Sequence, residues 1–150
     1  MSSDPPRIVL AVGLPGSGKS TYFARLGIVP LSSDAVRGLL SDDESDQTIH
    51  GRVFATIRYL LQHRIDLRRP VTYIDATNLT RRERRPYIEI ARKSGFRIEA
   101  LCFETTLAVC KQRNSGRKRV VPEFVLDLMA ARYVPPSVDE GFDAVDVFCG

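Results

Sequence analysis

The sequence predicts an α/β fold, a three-layer sandwich with a five-stranded, mostly parallel sheet between helices. Three observations predict it. Short apolar runs recur at strand length, helical patterns lie between them, and the first run leads directly into a glycine-rich loop. That loop, Gly13-Leu14-Pro15-Gly16-Ser17-Gly18-Lys19-Ser20-Thr21, fits the pattern G-x-x-x-x-G-K-[ST] at every fixed position. No repeat or low-complexity linker interrupts the chain, and its 150 residues are expected to form one domain, 1–150.

Residues 7–12 form the strand that delivers the loop, and 20–26 continue from it as a helix. The second strand is predicted at 28–31 and the second helix at 33–40. Residues 47–68 read as the longest helix because Ile49, Val53, Ile57, Leu60 and Leu61 recur on one face. A third strand at 71–75 precedes a helix at 80–94, which opens near Asn78-Leu79-Thr80, a capping-type sequence, and stops before Gly95. The fourth strand is 97–103, helices follow at 105–114 and 122–132, the latter with Pro122 in its first turn, and 144–148 is the fifth strand.

The glycines of the loop let its backbone N–H groups turn toward a polyphosphate, and the following helix adds its N-terminal N–H groups and dipole. Lys19 is placed to reach β- and γ-phosphates and Ser20 to hold a Mg²⁺ ion, which implies binding of a nucleoside triphosphate. In parallel sheets ligands sit beyond the carboxyl ends of the strands. That rule selects the loop, Ser32-Ser33-Asp34 and Ala76-Thr77-Asn78, with the helix carrying Arg113 and Arg117 after strand four. Asp34 could serve as the base for an acceptor hydroxyl or as a helix cap. Arg37, on the same helical face, could pair with Asp34 or bind an acceptor phosphate. Asp75, at the tip of strand three, suits either a Mg²⁺-water ligand or a hydrogen bond to the loop. Arg113 and Arg117 belong to a basic segment at about 111–121, either a flap that closes over the γ-phosphate or a solvated loop.

Composition sets the outer limits. The net charge of +4 is uneven, with arginines concentrated at 81–85 and 113–119, and such clusters suit phosphate-rich partners or a solvated helix face. The three cysteines form no C-x-x-C pair and are expected to be free thiols. His50 and His63 match no catalytic pattern and read as surface or packing residues. No run is long enough to span a bilayer and the N-terminus has no signal pattern, so a cytoplasmic protein without membrane contact is expected.

Four segments together resemble the kinase module of phage and bacterial polynucleotide 5′-kinases. They are 13–21; Ser32-Ser33-Asp34-Ala35-Val36-Arg37 with the acidic stretch 41–47; Asp75-Ala76-Thr77-Asn78-Leu79 with the arginines after it; and 111–117 leading to Val121-Pro122. The resemblance implies a P-loop kinase fold with a basic lid, ATP and Mg²⁺ as cofactors, and transfer of the γ-phosphoryl group to a 5′-hydroxyl end of RNA or DNA. It assigns Asp34 as general base, Arg37 as the contact to the acceptor's 3′-phosphate, and Arg113 and Arg117 as contacts to the donor phosphates. Family members often carry a phosphatase or ligase module on the same chain; this sequence has a kinase-sized unit, expected to act alone, to depend on an end-processing partner, or to be an excised domain. Related small kinases act on sugars, nucleosides or antibiotics, so a small-molecule alcohol is the alternative acceptor. A nucleotide-dependent switch is disfavoured: no Asn-Lys-x-Asp run is present, and a basic lid suits a transferase better.

Overall fold

The computed structural model describes residues 4–117 and 120–149. Five strands, β1 (Arg7–Val12), β2 (Leu31–Ser32), β3 (Val71–Asp75), β4 (Arg97–Phe103) and β5 (Ala144–Phe148), form one sheet in the order β2-β3-β1-β4-β5. All four pairings are parallel, so the sheet is wholly parallel rather than mostly so. The helices are α1 (Lys19–Leu26), α2 (Ser33–Ser41), α3 (His50–Asp66), α4 (Arg81–Ser94), α5 (Leu107–Ser115) and α6 (Glu123–Arg132).

β1 is central, and from Ile8 to Val12 it is apolar and buried because helices cover both of its faces. Its alternate residues Ile8, Leu10 and Val12 join the stripe Val53, Ile57, Leu61 and Ile65 of α3 and Tyr87, Ile88 and Ala91 of α4 in the larger core. On the opposite face Ala11 meets Phe23 of α1 and Phe103 in a smaller aromatic cluster, with Tyr22 and Tyr73 packed against it.

The sequence placed four strands at their observed limits; the differences lie where turns compete with periodicity. The second strand is only Leu31–Ser32, because Gly27 takes a left-handed φ of 66° and ends α1, leaving 28–30 to return the chain to the sheet. The long helix is divided. Asp46 accepts a hydrogen bond from the Thr48 backbone and starts a separate turn of 3₁₀ helix at Gln47–Ile49 before α3 begins. Pro122 caps α6 rather than entering its first turn. At α4 the expected cap is present, since Thr80 Oγ1 accepts the Glu83 N–H at 3.2 Å and Gly95 closes the helix at φ 73°. Cys102 and Cys110 are buried and Cys149 is exposed, all three as free thiols. No helix among the described residues is long and apolar enough to cross a membrane.

Candidate active site

The carboxyl edge of the sheet opens into a cleft of about 770 Å³. Topology sets its direction: β1 and its loop stand in the middle, β2 with α2 and α3 on one side, β4 and β5 on the other. The glycine-rich loop is held from three sides. Gly13 N–H donates to the Thr77 carbonyl at 3.0 Å, Thr105 Oγ1 donates to the Ser17 carbonyl at 3.0 Å, and Gly16 lies against α5. Gly16 has φ +82°, and a Cβ there would stand 2.6 Å from the Cys110 carbonyl oxygen, so only glycine fits this close approach.

Lys19 is buried, and its ammonium folds back onto the loop. It donates to the Gly13 carbonyl at 2.7 Å, the Leu14 carbonyl at 3.0 Å and Ser17 Oγ at 3.4 Å. Burial lowers its pKa to about 8, with the Asp75 carboxylate partly opposing. Burial in turn raises the Asp75 pKa, against the pull of Lys19. Asp75 and the exposed Ser20 both line the cleft. Among the described residues no three His, Cys, Asp or Glu side chains cluster as a metal cage. Ser20 and Asp75 offer hard oxygen donors of the sort Mg²⁺ accepts, with phosphate oxygens and water completing its shell.

Asp34 lies across the cleft in the first turn of α2. The capping role that competed for it belongs to Ser32, whose Oγ accepts the Ala35 N–H at 3.2 Å. Its carboxylate is gripped by two cations. Arg37 Nη1 approaches Oδ1 at 3.3 Å, and Arg117 Nη2, from beyond α5, approaches Oδ2 at 3.4 Å. Arg37 is buried, with 3% of its surface exposed, and both it and Arg113 line the same cleft.

The predicted site residues therefore converge. Gly16, Gly18, Lys19, Ser20, Thr21 and Pro15 form the floor, with Gly13, Leu14 and Ser17 behind them under the Lys19 amine. Asp34, Arg37, Asp75, Arg113 and Arg117 form the walls. Val121, at the far end of the predicted lid, is bonded back to α5. Buried Asn114 donates through Nδ2 to the Val121 carbonyl at 2.6 Å and accepts the Val121 N–H at 2.9 Å, clasping the two ends of the turn. The middle of the predicted lid, residues 118 and 119, lies outside the described residues.

Sequence reasoning missed two features. His50 is exposed and packs on Phe54, as a surface or packing residue would, but both rings also line the cleft. The arginine cluster of α4 is not a solvated face throughout: Arg84 is fully buried, donating to Glu140 through Nε at 2.9 Å and Nη2 at 3.0 Å.

A wholly parallel sheet in this order, with a glycine-rich loop between its central strand and a helix, defines a phosphate-loop protein of kinase fold. Residues 8–136 match the model of an AAA-domain family, and the chain belongs to that family. It is 27% identical over 149 residues to the bifunctional polynucleotide phosphatase/kinase of Schizosaccharomyces pombe, covering 96% of this chain and 34% of that protein. A chain of the Pnkp1/Rnl/Hen1 RNA repair complex superposes with a TM-score of 0.72 at 22% identity, over 87% of this chain and 45% of that one. A sugar kinase from Janibacter sp. superposes with a TM-score of 0.67 at 20% identity, over 97% of this chain and 86% of that one. This chain thus spans about a third of the curated relative and under half of the RNA repair chain.

Proposed function

We propose that this domain is an ATP- and Mg²⁺-dependent kinase that transfers the γ-phosphoryl group to the 5′-hydroxyl end of RNA or DNA. The observation that carries the proposal is Asp34, seated between Arg37 and Arg117 in the cleft that Lys19 also lines. A carboxylate beside the γ-phosphate position takes the proton of the attacking hydroxyl. Lys19, Arg113 and Arg117 hold the charge that spreads over the migrating phosphoryl oxygens. Ser20 and Asp75 attend the Mg²⁺, and Arg37 grips the phosphate on the acceptor's 3′ side. The likeness to the polynucleotide phosphatase/kinase and to the RNA repair chain supports a nucleic-acid end as acceptor and other end-processing proteins as partners.

The test offers labelled ATP and Mg²⁺ to a panel of acceptors: a 5′-hydroxyl oligonucleotide with a 3′-phosphate, nucleosides and sugars. Label appearing on the oligonucleotide is the expected result. Label appearing only on a small alcohol makes the protein a small-molecule kinase and removes the nucleic-acid assignment.

Lys19 supplies a second check. Phosphates favour its charged form, and with a pKa of about 8 that charge is present below pH 8 and lost above it. ATP affinity should be flat up to about pH 8 and then fall by as much as about ten-fold per pH unit, until bound phosphate can no longer hold the proton. In Lys19→Arg, whose guanidinium does not titrate, whatever affinity remains should not show this fall. Calorimetric titration across that range distinguishes the two profiles.

A further inference from the structure

Across the cleft, beyond Asp34, stands a pair of rings that the phosphoryl-transfer chemistry does not use. His50 and Phe54 lie one turn apart on α3, their ring centroids 4.7 Å apart and their planes tilted by 48°. Both line the cleft, together with Gln47 from the preceding turn. His50 is exposed; Phe54 is half-buried and rests on the hydrophobic core beside Val53. The pair is therefore fixed from below and open toward the cleft.

The topology tells which substrate it faces. On the kinase reading above, a triphosphate seated on the loop has its γ end toward Asp34, which stands on the β2 side of the sheet. The rest of the donor then lies toward the other end of the cleft, where Tyr22, Met129 and Phe148 line the wall. The α3 end is left to the acceptor, and Arg37 lines it as well. We propose that His50 and Phe54 form a stacking shelf for the nucleobase of the acceptor's terminal nucleoside, so that base, phosphate contact and reacting hydroxyl are held together by α2 and α3. The shelf rests on the kinase reading above and deepens it, because it selects an acceptor with a flat aromatic ring over a plain sugar alcohol. Aromatic stacking of this type is tolerant of base identity.

The test measures binding and transfer separately. A fluorescent 5′-hydroxyl oligonucleotide and its counterpart with an abasic 5′-terminal residue are titrated against protein saturated with ADP and Mg²⁺. The wild-type protein should prefer the base-bearing strand by roughly ten-fold or more. Phe54→Leu, which keeps apolar volume against the core, and His50→Ala, at an exposed position, should each shrink that preference toward unity while ADP binding is retained. Phe54→Tyr, which keeps the ring, should restore it. Equal binding of the two strands by the wild-type protein would overturn the shelf, as would a preference that survives in both Phe54→Leu and His50→Ala. A loss of ADP binding matching the loss of strand binding would also overturn it, since the rings would then be only structural. Phosphate transfer to the base-bearing strand is scored in parallel. If transfer is absent but the preference follows Phe54, the kinase reading fails and the shelf stands. If transfer occurs and the preference ignores Phe54, the shelf fails alone.

Discussion

Asp34→Asn should lower turnover of a 5′-hydroxyl oligonucleotide by roughly 10²–10⁴-fold, the usual contribution of a positioned general base. ATP affinity should change by no more than a few-fold. The split follows from where Asp34 sits. It is opposite the loop, not in it, and the cap of α2 is made by Ser32. An amide keeps the shape, and its single oxygen can still accept from Arg37 or Arg117 though not from both, but it cannot take a proton. The ion pairs at 3.3 and 3.4 Å also put both arginines beside the proposed base. Once a donor is bound, phosphate competes for Arg117, so the pair with Asp34 should loosen as the site fills. Steady-state kinetics beside a calorimetric ATP titration checks the prediction. A collapse of ATP binding in Asp34→Asn would make the carboxylate an architectural anchor for the two arginines instead of a base.

How far this site was legible in the sequence depended on the range of the forces that build it. The loop is a local object: closely spaced glycines, a lysine and a hydroxyl residue dictate its own shape, and the strand before it and helix after it are visible as patterns. Asp34 and Arg37 were legible because a single rule, ligands at the carboxyl ends of parallel strands, turns a position in the chain into a position in space. His50 was not legible. It is the first residue of α3, directly after the 3₁₀ turn at Gln47–Ile49, and periodicity alone read straight through that turn. Phe54 gave no warning either, since a ring beside a buried stripe reads as core and here it is half core, half cleft wall. The bond between α5 and the segment before α6 was equally hidden, because it runs from the Asn114 side chain to the Val121 backbone.

Arg84 is the extreme case, and it carries the largest expected effect on stability. Its partner Glu140 is 56 positions away, with nothing in the sequence between them to announce the pairing. The two side chains meet as a planar fork, 0% and 4% exposed, and the Ser137 N–H donates to the same carboxylate at 3.0 Å. A third bond runs from Arg84 Nη1 to the Asn78 carbonyl at 2.9 Å. Asn78 is itself buried at a left-handed φ of 47°, and its side-chain amide donates to the Ala11 carbonyl at the end of β1. The neighbouring Thr77 carbonyl receives the Gly13 N–H, the first residue of the phosphate loop. One guanidinium thus ties the 3₁₀ turn at Val138–Glu140 to the segment after β3, and through that segment to the loop. Arg84→Ala leaves a buried carboxylate without its counter-charge and an unpaired carbonyl, and should cost about 3–5 kcal/mol of stability. Glu140→Ala strands the guanidinium and should cost a similar amount. Replacing both by apolar residues of like volume should recover much of the loss, because the desolvation cost of two charges disappears with their attraction. Denaturant unfolding of the two single variants and the double variant measures this directly. Additive losses in the double variant would show that the ion pair is not the cause. ATP binding in the refolded double variant then separates fold from function: the Asn78 carbonyl has lost its donor, so the loop should be held less firmly even where stability returns.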